Sequence, residues 1–263
     1  MLLVGLCVAA CGNIRAERLP APDDLPDLAA HLACLGTGAA LAVAHRGTDR
    51  RSAHPENSLA ALDALAAHGT RMVEVDVAGL RDGTHVVFHD GVWDELTNGS
   101  GAVAATDWPT VQTLSLRTRD GQPTREGVPM LGAYLDAARG RVLLEIDFKT
   151  SSDYAHVVER IRAAGLSDHV VLIATSAASA RKLRRLAPTM HISVPPKALD
   201  AVAPPVLVWL GEASRPMNAP VIARLGDASR PEGASLAVTD HALSLPPVLG
   251  DRKAFEACMA EQG

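Results

Sequence analysis

Two histidines and a set of carboxylates stand where short apolar runs of this chain end. Leu41-Ala42-Val43-Ala44 runs into His45-Arg46-Gly47, and His85-Val86-Val87-Phe88 runs into His89-Asp90. The run at 72–77 carries Glu74 and Asp76, and the run at 142–148 carries Glu145 and Asp147 with Lys149 directly behind. If these runs are strands, residues i and i+2 share a face, about 7 Å apart at ~3.3 Å of rise per residue. Glu74 and Asp76 then point the same way, as do Glu145, Asp147 and Lys149. An acid pair on an otherwise apolar strand is costly to bury unless positive charge lies between the two groups. A metal ion is the simplest such partner. Oxygen-only ligands select a hard cation, Ca²⁺ or Mg²⁺.

The elements that must position these groups alternate. A short helix is expected over 27–35 and a strand over 41–44. A polar loop then leads through Pro55-Glu56-Asn57-Ser58 into a helix over Leu59–His68, stopped by Gly69. The strand at 72–77 is followed by the turn signal Asp82-Gly83 and a strand at 85–89. A longer excursion from Gly91 to about Gly140 holds the glycine-rich Thr97-Asn98-Gly99-Ser100-Gly101, a helix start at Trp108 and a helix near Leu131–Ala138. Strands at 142–148 and 170–174 enclose a helix at 154–164, and a basic helix at 178–186 follows. Short apolar runs at 191–194, 206–210, 221–225 and 236–239 complete the pattern. Gly211 to Pro216 and Gly226 to Pro231 are near-copies of one turn, too short to be a structural repeat. Alternation of this kind builds a parallel sheet. The fold class is therefore α/β, a (β/α)8 TIM barrel with a small insertion after the third strand. Nine candidate strands exceed eight by one, and the surplus is assigned to the weak late runs. In such a barrel His45, Asp76, His89 and Lys149 would all stand at strand ends facing the mouth.

Length and composition fit one large domain: 263 residues, 48% hydrophobic, with only 3% aromatic, so Ala, Val and Leu must fill the core. A net charge of −5 and the lack of a basic cluster with interleaved aromatics exclude a nucleic-acid footprint. Residues 1–24 read as a signal or lipoprotein-like segment and tether, and 25–263 as a single barrel domain. Val8-Ala9-Ala10-Cys11-Gly12 resembles a lipoprotein cleavage box, so Cys11 is the expected lipid-bearing residue and membrane tether. The expected location is exported: periplasmic, or membrane-anchored as a lipoprotein. Cys34 and Cys258 remain near the two ends, either bridged or as two buried thiols.

The motifs taken together resemble the glycerophosphodiester phosphodiesterase family. The resemblance rests on His45-Arg46-Gly47, Pro55-Glu56-Asn57-Ser58, Glu74-Val75-Asp76-Val77, Asp82-Gly83 and Val86-Val87-Phe88-His89-Asp90, with weaker matches at Val128-Pro129-Met130-Leu131 and Thr239-Asp240. It implies a barrel that hydrolyses a small phosphodiester with one divalent cation, releasing glycerol 3-phosphate and an alcohol. It further implies His45 and His89 as the acid–base pair, Arg46 on the phosphate, and Glu74 and Asp76 on the metal. The family's third ligand belongs to a carboxylate-any-Lys strand motif, which Asp147-Phe148-Lys149 matches, with Glu145 as the rival. Lys149 joins Arg46 in stabilising charge on the phosphate. Glu56 and Asn57 are expected to brace the first loop, and His54 is the further histidine placed nearest the mouth. The family's Trp-containing late strand is matched only loosely, by Val208-Trp209-Leu210. Two other readings stay open: a phospholipase D-like hydrolase of intact or lyso-phospholipids, and a non-catalytic barrel that binds without turnover.

Overall fold

The structure is a computed structural model and describes residues 25–35, 39–50, 52–209, 221–224, 236–240, 242–245 and 248–262. The leader with Cys11, the two near-copied turns, Leu210 and His241 lie outside the described residues.

Eight parallel strands close on themselves in the order β1 (Ala40–Ala44), β2 (Met72–Gly79), β4 (Leu143–Phe148), β5 (Val170–Ile173), β6 (His191–Val194), β7 (Val206–Trp209), β8 (Val221–Arg224) and β9 (Leu236–Thr239). Pairing of β1 with both β9 and β2 seals the ring. Two short strands add to it in antiparallel sense: β3 (His85–Val87) on β2, and β10 (Val248–Leu249) on β1.

The surplus strand is therefore not one of the weak late runs. It is β3, which the sequence pattern places in the barrel wall. Alternation in a strand reads the same whether its neighbour runs parallel or antiparallel, so the pattern at 85–89 could not reveal its direction. β2 overshoots the rim, turns at Gly83 and returns as β3. Gly79 is required on the outward leg, because a Cβ there would meet the Ser151 carbonyl at 2.3 Å. The returning chain donates Phe88 N–H to the Asp76 carbonyl at 2.9 Å, which delivers His89 to the level of the acid pair.

Side chains of β2 and β4 sort by period two. Val73, Val75, Val77, Leu144, Ile146 and Phe148 face the helices α2 (Leu59–His68), α4 (Leu131–Ala138) and α5 (Tyr154–Ala163) in one apolar cluster. Met72 and Leu143 belong instead to the barrel-floor cluster with Leu41, Val43, Val171, Leu207 and Val238. That leaves Glu74 paired with Glu145, and Asp76 with Asp147, as successive inward layers above an apolar floor. Helices α1 (Leu28–Cys34) and α7 (Arg252–Ala260) cover the floor with Leu28 and Phe255 and are joined by a Cys34–Cys258 disulfide.

Helix boundaries follow local chemistry. Asp27 caps α1 by accepting the Ala30 N–H at 2.8 Å, and Ser58 caps α2 by accepting the Ala61 N–H at 3.1 Å. Gly69 ends α2 at φ 95°, the left-handed conformation that glycine adopts without steric cost. The insertion between β3 and α4 has its own small core of Phe88, Trp93, Val103, Val111, Leu116 and Val128.

Candidate active site

At the end of β1 the chain makes a single tight turn, His45–Gly47, in which Arg46 (φ 53°) and Gly47 (φ 58°) are both left-handed. A Cβ at Gly47 would lie 2.7 Å from the buried Tyr134 hydroxyl, so only glycine fits. Arg46 bears the cost of an unusual φ, and the turn aims its N–H at Glu74 Oε2, 2.7 Å away. Its guanidinium donates to Glu56 Oε1 at 2.9 Å. Burial alone would lower the guanidinium's pKa, but the carboxylates of Glu56, Asp76 and Glu74 outweigh it and raise it.

Asn57 is, with Arg46, the second non-glycine residue here in the left-handed region, at φ 60°. Its N–H donates to the Arg46 carbonyl at 2.7 Å, which ties the loop before α2 to the turn after β1. Its amide clasps Asp76 from two sides. Nδ2 donates to Asp76 Oδ2 at 2.9 Å, and Oδ1 accepts the Asp76 N–H at 3.2 Å. Glu56 and Asn57 thus brace the loop by holding one charged residue each.

Carboxylate oxygens of Glu74, Asp76 and Asp147 all lie within 4.8 Å of one another. Glu74 and Asp76 are buried and Asp147 half-buried. Burial, and then the neighbouring Asp76, push the Glu74 carboxyl well above the ordinary carboxylate range. Lys149 partly compensates, with Nζ 2.6 Å from Asp76 Oδ1 and 2.7 Å from Asp147 Oδ2. Burial opposes its charge, but those two acids outweigh burial and raise its pKa. Three carboxyl groups thus crowd round one ammonium. The set is all oxygen and closely spaced, and so fits a hard divalent cation. Glu145, one layer below, is 1% exposed and is pushed up by burial to about 8, with Ser193 partly offsetting this.

The two histidines stand beside this cluster through the residues next to them: Arg46, which bonds Glu74, and Phe88, which bonds Asp76. Each has a carboxylate on Nδ1. His45 Nδ1 is 2.7 Å from Asp240 Oδ1, and His89 Nδ1 is 2.7 Å from Asp90 Oδ1. An ionised carboxylate only accepts, so each Nδ1 carries the hydrogen and each Nε2 is the basic nitrogen.

The structure thus brings His45, Arg46, Glu74, Asp76, His89, Asp147 and Lys149 to one mouth. Two partners escaped sequence reasoning. Asp240 lies 195 positions from His45, and only the Thr239-Asp240 match pointed to it. Asp90 adjoins His89, and a histidine followed directly by an acid was a signal that could have been read. His54 pairs with Glu126 at 3.0 Å at the edge of the mouth. His85 is a hairpin anchor: Nδ1–H donates to the Gly83 carbonyl at 3.1 Å, and Nε2 accepts the Asp153 N–H at 2.9 Å.

A closed (β/α) barrel with a carboxylate trio able to hold a metal ion, and two acid-backed imidazoles at its C-terminal mouth, defines the class of fold and site. The glycerophosphoryl diester phosphodiesterase family model matches residues 45–199, which carry most of this site, and the chain belongs to that family. Mouse glycerophosphodiester phosphodiesterase 1 is 31% identical over 118 residues, covering 43% of this chain and 35% of that protein. The chain therefore spans about a third of that curated relative's length. The crystal structure of a Parabacteroides distasonis glycerophosphoryl diester phosphodiesterase superposes with a TM-score of 0.72 over 90% of this chain and 93% of that one, at 17% identity. An Oleispira antarctica phosphodiesterase, solved in complex with the product sn-glycerol-3-phosphate, gives 0.61 over 86% and 99%, at 16% identity. Both likenesses concern the fold.

Proposed function

We propose that this chain hydrolyses glycerophosphodiesters to glycerol 3-phosphate and an alcohol, with one divalent cation held by Glu74, Asp76 and Asp147. The observation that carries the reading is the meeting of these three carboxylates between the turn that bears His45 and the strand that delivers His89. Family membership and the product bound to the Oleispira antarctica protein support it.

Ca²⁺ or Mg²⁺ bound there supplies charge neutralisation and polarisation of a phosphoryl oxygen. One imidazole Nε2 takes the proton of the attacking oxygen, which is either water, giving glycerol 3-phosphate directly, or glycerol's neighbouring hydroxyl, giving a cyclic phosphate that water then opens. The other imidazole, protonated, returns a proton to the leaving alcohol. Asp240 and Asp90 hold each ring in the tautomer that leaves Nε2 for this work and stabilise each imidazolium as it forms. The Lys149 ammonium and the Arg46 guanidinium offset the negative charge that grows on the phosphoryl oxygens. Residues 25–263 form the catalytic domain in this reading, and residues 1–24 direct export and tether the protein through Cys11. The Cys34–Cys258 disulfide supports an oxidising compartment.

The experiment is an assay of purified protein with Ca²⁺, Mg²⁺ or EDTA against glycerophosphodiesters and intact lysophospholipid. Release of glycerol 3-phosphate is expected, and His45→Ala abolishes it while leaving metal binding in place. Choline release from intact lipid would instead favour the phospholipase D-like reading, and metal binding with no hydrolysis the non-catalytic barrel.

A further inference from the structure

Beside the reaction centre, the loop between β1 and α2 and the insertion before α4 enclose a cleft of about 230 Å³. It adjoins the site at two points. Glu56, one of its wall residues, holds the Arg46 guanidinium. Arg50 and Arg119, also wall residues, converge on Asp240 at 3.4 and 3.8 Å, and Asp240 is the carboxylate that takes the His45 Nδ1–H at 2.7 Å. Whatever occupies the cleft therefore sits next to one of the two imidazoles.

The walls are chemically uniform in one respect. Among the described residues, the nine that line it all carry a side-chain oxygen or nitrogen, and none is purely aliphatic or phenyl-based. An acyl chain gains about 25 cal/mol for each Å² of hydrocarbon it buries against hydrocarbon, and these walls offer it only the methyls and stems of polar side chains. A quaternary ammonium is held by the faces of aromatic rings such as Trp and Tyr, and among the described residues none lines this cleft. The walls offer instead a close mixture of donors and acceptors. Arg50 and Arg119 present guanidinium forks, Asp120 a carboxylate, Thr118 and Ser52 hydroxyls, and His54 a ring nitrogen. Neighbouring hydroxyl groups, each both donor and acceptor, satisfy such a mixture where a pure cation or a hydrocarbon does not. Part of the wall is fixed: Asp49 is 3% exposed and accepts the Leu243 N–H at 2.8 Å. The volume lies below the ~300–1,000 Å³ of drug-sized sites, which suits a small head group and not a lipid.

We infer that this cleft receives the leaving alcohol of the diester and selects a small polyhydroxylated alcohol, such as glycerol or a cyclitol, over choline or an acylated glycerol. The inference rests on the phosphodiesterase reading above and names its substrate class. The test compares kcat/KM of the metal-loaded protein on glycerophosphoglycerol and glycerophosphoinositol with that on glycerophosphocholine. The polyol diesters are expected to lead by about tenfold, the effect of one or two hydrogen bonds in an open cleft. Asp120→Asn and Asp120→Ala change an exposed loop residue, so folding is kept. Each is expected to pull the polyol-to-choline ratio towards one by selective loss on the polyol diesters. Equal or better hydrolysis of glycerophosphocholine by the unaltered protein would overturn the inference while leaving the phosphodiesterase reading intact. Parallel loss on all substrates in the variants would do the same, since it would mean the cleft serves the shared glycerol arm or the fold alone. Hydrolysis of no diester at all would overturn the function, and the inference with it.

Discussion

Asn57 offers a sharp test of how the metal pair is held. It is 1% exposed, and its amide makes two hydrogen bonds to Asp76, itself 2% exposed. Glycine at this position keeps the φ of 60° without strain and keeps the N–H that binds the Arg46 carbonyl, so Asn57→Gly removes the side-chain clasp alone. The charged bond from Nδ2 is worth about 1.5–3 kcal/mol and the bond from the Asp76 N–H about 0.5–1.5 kcal/mol. Greater freedom of glycine in the unfolded chain costs a further ~0.4–1 kcal/mol. The sum is about 2.5–5.5 kcal/mol. Asn57→Ala loses the same two bonds and adds about 1–2 kcal/mol of left-handed strain, offset in part because alanine is stiffer when unfolded. Denaturant unfolding should therefore rank the proteins wild type, then Asn57→Gly, then Asn57→Ala. Metal affinity by titration calorimetry should fall about 10- to 100-fold in both variants, because Asp76 is no longer held in place. An Asn57→Gly protein within about 0.5 kcal/mol of wild type, with unaltered metal affinity, would refute the reasoning.

The other predictions probe separate parts of the account. Lys149→Met should lower kcat by about 10²–10³-fold, yet it should not weaken metal binding, because the ammonium and the cation compete for the same Asp76 and Asp147 oxygens. Parallel losses in kcat and metal affinity would contradict that division. Burial, then the stacked His156 ring, hold the His85 pKa below 6.5. Its folded form resists protonation, so this contribution to stability is complete above pH 6.5 and is lost as pH falls through the folded pKa. His85→Gln should flatten the acid limb of a stability profile taken from about pH 7 to 5, and an unchanged limb would count against the hairpin-anchor role. Cys258→Ser opens a disulfide spanning 224 positions and should cost up to about 5 kcal/mol, read as a lower denaturation midpoint. A midpoint unaffected by both the substitution and reductant would show that α1 and α7 hold the floor without the bond.

Most of the first half of the barrel was legible because each strand ends in a polar motif and each helix carries its own stop signals. Ser58 and Gly69 bracket α2 at Leu59–His68, the bounds expected from sequence. The inward layers of β2 and β4 also follow from period two alone, since Glu74, Asp76, Glu145 and Asp147 occupy alternate positions. What stayed hidden was relational. The direction of β3 depends on its partner and not on its own residues. The two-residue strand β10 is too short to show any period, and α7 follows a run of Pro and Gly that masks its start. The pairing of His45 with Asp240 needs the ring to close, because β9 becomes the neighbour of β1 only then.

The central claim is that a cation held by Glu74, Asp76 and Asp147 lets His45 and His89 cleave a glycerophosphodiester. The most direct measurement follows glycerol 3-phosphate release by the metal-loaded protein, by the same protein in EDTA with and without restored Ca²⁺ or Mg²⁺, and by Glu74→Gln. The account predicts release that EDTA stops, that added metal restores, and that Glu74→Gln lacks together with metal binding. Release that persists in EDTA, or in a Glu74→Gln protein that no longer binds metal, would contradict it.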